Sequence, residues 1–108
     1  MPSVTAGRLC PDGVFLRPRM DAYQAESREI MAIVPSFAGD RVQQVSIDEA
    51  YLDVSEACQG VDADASLERA VPVAREIKEA VRARRGLTTS VGVAANKLLA
   101  KLASDFEK

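Results

Sequence analysis

At Ser46–Asp53 the chain reads SIDEAYLD, which sets two carboxylates side by side, Asp48 and Glu49, between two strand-like halves. Val42, Val45 and Ile47 before the acids and Ala50, Leu52 and Val54 after them give the spacing of strands with one buried face. Neighbouring side chains on an ideal strand point to opposite faces. Two adjacent acids can therefore share one ion only where the backbone bends, and a hairpin tip supplies that bend. Hard divalent cations such as Mg²⁺ take oxygen ligands, keep waters, and commonly use one or two protein carboxylates together with substrate phosphates. The plainer alternative is an acidic pair solvating a turn, since turns favour such residues.

A basic set follows in SVGVAANKLLAKLASDFEK, Ser90–Lys108. At about 100° per residue on a helix, Lys97, Lys101 and Lys108 project within roughly 40° of one another. Leu99, Leu102, Ala103 and Phe106 cluster on the far side. Three ammonium groups on one face suit phosphate as compact point charges, or they form the solvated side of an amphipathic helix. Ser46 stands two residues before Asp48, so on a strand it shares the face of the aspartate. Arg82, Arg84 and Arg85 precede Gly86 and complement the negative end of a helix.

Composition narrows the chemistry further. The chain has 108 residues, enough for one modest core. A net charge of −2 gives no overall basic footprint, so any phosphate site must come from local arrangement. There is no histidine, which removes Ser-His-Asp and Cys-His catalysis and His-ligated zinc. Cys10 and Cys58 are far apart and form no CxxC pair, so neither a disulfide framework nor a zinc cage is indicated and a reducing, cytoplasmic setting is expected. No apolar run reaches the roughly twenty residues that span a bilayer, and no signal peptide opens the chain, so a membrane partner is not expected.

The elements that must position these residues can be read from period and punctuation. Residues 1–13 form a loop or short helix. Val14–Arg17 reads as a short strand, and Pro18 opens a helix through Val34 with Met20, Tyr23, Ser27, Ile30, Met31 and Val34 on one face, closed by Pro35. The two strands about the acids follow. Asp62–Ala65 precedes a second helix with a stripe of Leu67, Val71, Ala74, Ile77 and Val81, ending near Gly86. Pro72 calls for a kink or break within it, because proline lacks the amide donor. Leu87–Ala94 alternates as a strand, and Asn96 caps a last helix. The order β-α-β-β-α-β-α predicts an α+β fold, an antiparallel sheet with helices packed on one face.

SIDEAYLD followed some forty residues later by SVGVAANKLLAKLASDFEK, with VFLRPRMDAYQAESREIM ahead of both, resembles the palm domain of the Y-family, or translesion, DNA polymerases, of the DNA polymerase IV (DinB) type. The resemblance covers nearly the whole chain. It implies a ferredoxin-like palm, with residues 1–13 a remnant of the connection between fingers and palm and residues 14–108 an incomplete palm. It implies nucleotidyl transfer from a deoxynucleoside triphosphate to a primer 3′-hydroxyl by two Mg²⁺ ions, with Mn²⁺ as a substitute, during bypass of DNA damage. Primer-template DNA and the triphosphate are the implied partners, with a sliding clamp as a further candidate.

By the same resemblance, Asp48 would bridge both ions and Glu49 would bind the one that activates the primer hydroxyl. Lys108 would contact the triphosphate, with Lys101 and Lys97 as further phosphate candidates and Ser46 near the primer end. The family also uses a third carboxylate on an earlier strand, in an Asp-x-Asp segment followed by an aromatic residue that excludes ribonucleotides. No such segment is present, and Asp12 and Asp21 do not stand in that context. The chain therefore reads as a palm-bearing fragment, inactive alone. Two rivals remain: a nucleotidyl cyclase of the diguanylate type, whose glycine-rich pair before the acids is replaced here by Val45-Ser46-Ile47, and a non-catalytic ferredoxin-like binding module, for which the strands offer few aromatics beyond Phe15 and Tyr51.

Overall fold

The structure, a computed structural model, describes residues 1–106. Five helices and one hairpin make up the described chain: α1 (Ser3–Leu9), α2 (Met20–Ile33), α3 (Pro35–Ala38), β1 (Val42–Gln44), β2 (Ala50–Leu52), α4 (Ala63–Arg85) and α5 (Lys97–Asp105). The class is α+β, as the sequence leads one to expect.

Local chemistry sets the helix ends. Pro35 cannot donate a backbone hydrogen bond, so α2 stops before it and α3 begins on it as a first-turn proline. The Asp62 carboxylate accepts from the Ala65 amide at 2.8 Å and caps α4 at its start. At the other end Gly86 takes φ 68°, a left-handed conformation that a side chain would strain. The helix neither breaks nor starts at Pro72. Pro72 and Glu68, the residue whose carbonyl loses its donor, both lie on the exposed side, where water can serve that carbonyl. The start of α2 falls at Met20, two residues after Pro18, because Arg19 (φ −101°, ψ 75°) is not helical.

The core forms where α2 packs on α4. Ile33 at the end of α2 and Val34 just after it are buried, as are Ala70, Ile77 and Val81 on one face of α4 and the free thiol of Cys58. A two-pronged ion pair fastens the same helices: Arg85 donates from Nε to Glu26 Oε1 at 2.6 Å and from Nη2 to Oε2 at 2.7 Å. That bond, more than the bare charge of the guanidinium, holds the Glu26 carboxyl below its usual range.

The hairpin is antiparallel, with Val42 opposite Leu52, Gln43 opposite Tyr51 and Gln44 opposite Ala50. Its base is extended by the Asp53 amide donating to the Arg41 carbonyl at 3.0 Å. There Arg41 also pairs with Asp53 and Glu56, and Asp53 accepts the Ser55 amide at 2.9 Å. Asp53 thus braces the foot of the hairpin.

Two expected strands do not form ladders among the described residues. Val14–Arg17 and Leu87–Ala94 are irregular, and the sheet consists of β1 and β2. Alternation is necessary for a strand but a partner backbone completes it. Val14 and Leu16 are 83% and 84% exposed, so the first segment has nothing to bury against. The second lines the same cleft as the hairpin without exchanging ladder bonds with it. No helix of the described residues is long and apolar enough to cross a membrane.

Candidate metal and phosphate site

The turn between β1 and β2 is closed by the Glu49 carbonyl, which accepts from the amides of Val45 at 2.9 Å and Ser46 at 3.3 Å. Asp48 and Glu49 leave this bend rather than a flat strand, and both line one open cleft of about 1490 Å³. The cleft runs between α2, the hairpin, α4, residues 87–94 and α5.

The turn is braced from two sides. The Ser27 hydroxyl, buried on α2, donates to the Ile47 carbonyl. Gln44 donates its amide to the Ser46 carbonyl at 3.0 Å and reaches Ser27 Oγ at 3.4 Å. The residue before the acids is thereby tied to a helix twenty positions away. Ser46 serves the aspartate directly, its hydroxyl donating to Asp48 Oδ1 at 2.9 Å. The two side chains meet on the bend, outside the strands on which the sequence reading set them.

The lysine face of α5 is turned toward the acids. Asn96 caps the helix by accepting from the Leu99 amide at 3.0 Å. Lys97 donates to Gln43 Oε1 and stands 5.6 Å from the centroid of the Tyr51 ring, so it tops one cross-strand pair of the hairpin. Lys101 donates to Glu49 Oε1 and lies 3.4 Å from Asp105 Oδ2. The bond to Glu49 is the main cause that raises the Lys101 ammonium above its ordinary value, with Asp105 adding to it. Lys108 lies outside the described residues. The leucine side of the helix faces outward, with Leu98 at 70% and Phe106 at 76% exposure.

Gly92 makes this docking possible. A Cβ there would stand 2.1 Å from the Ala100 carbonyl oxygen and 2.5 Å from the Ser104 nitrogen, both in the backbone of α5. Only a bare Cα lets the helix lie so close. Thr89 Oγ1, in the same segment, is the buried side-chain polar atom without a hydrogen-bond partner among the described residues.

The donor set suits a hard divalent cation. Both groups are carboxylates on an open bend, and one of them already attracts a cation, the Lys101 ammonium. No group of three His, Cys, Asp or Glu side chains forms among the described residues, which bring Asp48 and Glu49 together at this bend.

Of the residues expected at the site, Ser46 meets Asp48, Lys101 meets Glu49 and Lys97 lies on Gln43 and Tyr51, while Ser27, Gln44, Gln43 and Gly92 are residues that the sequence reading did not assign to it. The signals were a serine within an apolar stripe and a glycine inside an alternating segment, which marks close backbone approach.

The comparisons cover the whole length. The impB/mucB/samB family matches residues 1–105. DNA polymerase IV of Clostridium perfringens is 46% identical over 110 residues, spanning 100% of this chain and 28% of that protein. DNA polymerase IV of Methanoculleus marisnigri is 50% identical over 108 residues, with the same coverage of 100% and 28%. The crystal structure of DinB from Sulfolobus solfataricus superposes with a TM-score of 0.84 at 35% identity, over 100% of this chain and 30% of that one. An insertion ternary complex of Dbh DNA polymerase gives 0.83 at the same identity, again over 100% and 30%. The chain thus spans little more than a quarter of the curated relatives it matches.

Proposed function

The chain belongs to the impB/mucB/samB family, and we propose that the whole protein is a DNA-directed DNA polymerase of the translesion type, of which these residues form the metal-bearing palm. The observation that carries the reading is the facing of Asp48 and Glu49, on a braced bend, by the lysines of α5 across one cleft. Primer-template DNA and a deoxynucleoside triphosphate are the substrates on this reading, and the cytoplasm is the setting.

Asp48 and Glu49 would hold Mg²⁺, which when bound supplies charge neutralisation and activation of an attacking hydroxyl. A carboxylate from elsewhere in the protein would complete the set. The Ser46 hydroxyl orients Asp48 by hydrogen bonding, and Ser27 and Gln44 fix the height of the turn through the carbonyls of Ile47 and Ser46. Lys97, Lys101 and Lys108 would neutralise phosphate of nucleotide or DNA, a task that suits a compact ammonium without bidentate geometry. Residues 1–13 would belong to the connection toward the fingers.

The test is primer extension by the complete protein carrying Asp48→Ala. Asp48 is exposed and outside the core, so the variant folds as the parent does and extension is lost. Retained extension would remove Asp48 from the site.

A further inference from the structure

The same lysine that would serve phosphate is engaged with a would-be metal ligand, and this points to a second role. Resting on the metal reading of Asp48 and Glu49, we propose that Lys101 is a placeholder cation: it occupies the Glu49 carboxylate before a divalent ion arrives and is displaced when one binds.

Four observations support this. Lys101 Nζ donates to Glu49 Oε1, an oxygen that a metal would need. The pair lies at the mouth of the cleft, with the lysine and glutamate side chains 39% and 43% exposed, so water and ions reach it. Asp48, next in the chain, has no cationic partner among the described residues and is held by the Ser46 hydroxyl alone, leaving an uncompensated carboxylate beside a compensated one. The ammonium also has somewhere to go, because Asp105, one helical turn on, already stands 3.4 Å away.

The exchange does not require α5 to leave. Lys97 binds Gln43 and Tyr51, and the backbone of α5 rests on Gly92, so the helix stays docked when the Lys101–Glu49 bond opens. Two adjacent carboxylates repel each other, and one ammonium between charged elements relieves that repulsion until a stronger cation replaces it. Lys101 is thus a positioning residue for Glu49. Once displaced from Glu49 it keeps its contact with Asp105.

The test measures Mn²⁺ binding to the complete protein, without DNA or nucleotide, by electron paramagnetic resonance. The site's share is the part lost in Asp48→Asn. Lys101→Gln should bind Mn²⁺ about two- to fivefold more tightly at this site, the scale of a partly exposed ion pair. Lys101→Arg, which keeps the competing cation, should stay near the parent. Lys97→Gln removes the same charge without freeing Glu49 and should change affinity less than Lys101→Gln does. Added salt should shrink the difference between Lys101→Gln and the parent. If Lys101→Gln binds no more tightly than the parent while Asp48→Asn still abolishes the site's share, the placeholder role is wrong and the metal reading stands. Absence of any Asp48-dependent Mn²⁺ binding would overturn the metal reading and the placeholder with it.

Discussion

Ser27 gives one hydroxyl two tasks, donating to Ile47 and receiving Gln44, and so governs the turn that carries both acids. Ser27→Ala removes that donor with little change in volume. The expected cost is about 1 kcal/mol, the net worth of one such hydrogen bond. Amide hydrogen exchange at residues 46–49 should quicken by more than exchange in α4, and equal changes in both would show that the hydroxyl merely stabilises the core. At this scale the acids themselves were legible, because adjacency of Asp48 and Glu49 is a property of the sequence. The brace was not. A serine on one helix reaching a carbonyl twenty residues later depends on how elements meet, which no local pattern records. Lys101 shows the same limit: its face on the helix followed from 3.6-residue periodicity, while its partner Glu49 followed only from docking.

Elements divide by whether their signals are self-contained. Asp62, Gly86 and Asn96 end or begin helices through bonds within a turn of themselves; Gly86 and Asn96 act where the sequence placed them, while α4 starts at Ala63, inside the segment expected to precede it. The segments 14–17 and 87–94 depend on a partner strand, so their alternation promised ladders that the described chain does not contain. Gly92→Ala tests how α5 is held. Its methyl group would meet the helix backbone, which cannot yield as a flexible side chain would, and a cost of about 1–3 kcal/mol is expected. Amide protection over residues 97–105 should fall while α2 and α4 keep theirs. Undiminished protection would mean that the close approach is not what seats α5.

The α2–α4 junction carries a pH signature. Glu26, ordinarily near 4.5, titrates lower when folded because Arg85 hydrogen-bonds its carboxylate. The unfolded chain then takes up this proton first as pH falls, so the pair's contribution is complete above 4.5 and disappears as pH drops through the folded value. Asp53 is also held low, chiefly by Ser55 with Arg41 adding to it, and it loses its contribution in the same direction. Thermal melting followed from pH 6 to pH 3 should therefore show a smaller decline for Arg85→Gln than for the parent, with Asp53 supplying part of what remains. An identical decline would show that Glu26 is not governed by Arg85.

Seen entire, the described chain is drawn out, 54 by 26 by 22 Å with a radius of gyration of 16.7 Å, against about 13 Å for a compact domain of this length. Few apolar side chains are buried, and Val4, Leu9, Phe15 and Leu102 face water. On the proposed function, a chain that spans 28% of a curated relative and gathers no group of three candidate metal ligands among its described residues should by itself add no nucleotide to a primer under conditions where the complete protein does. Measurable extension by the chain alone would contradict the need for a further ligand. The family and general class were legible because SIDEAYLD and the lysine helix are local strings. The openness of the cleft was not, because it reflects which backbones fail to pair.

The outward turn of Leu98 and Leu102 on α5 has a calorimetric result. Heat-capacity change on unfolding tracks hydrocarbon newly wetted, and this helix already shows its hydrocarbon to solvent while gripping the hairpin through lysines. Its release therefore adds little to the heat capacity, whereas parting α2 from α4 adds much, so the two events leave different curvatures in the same scan.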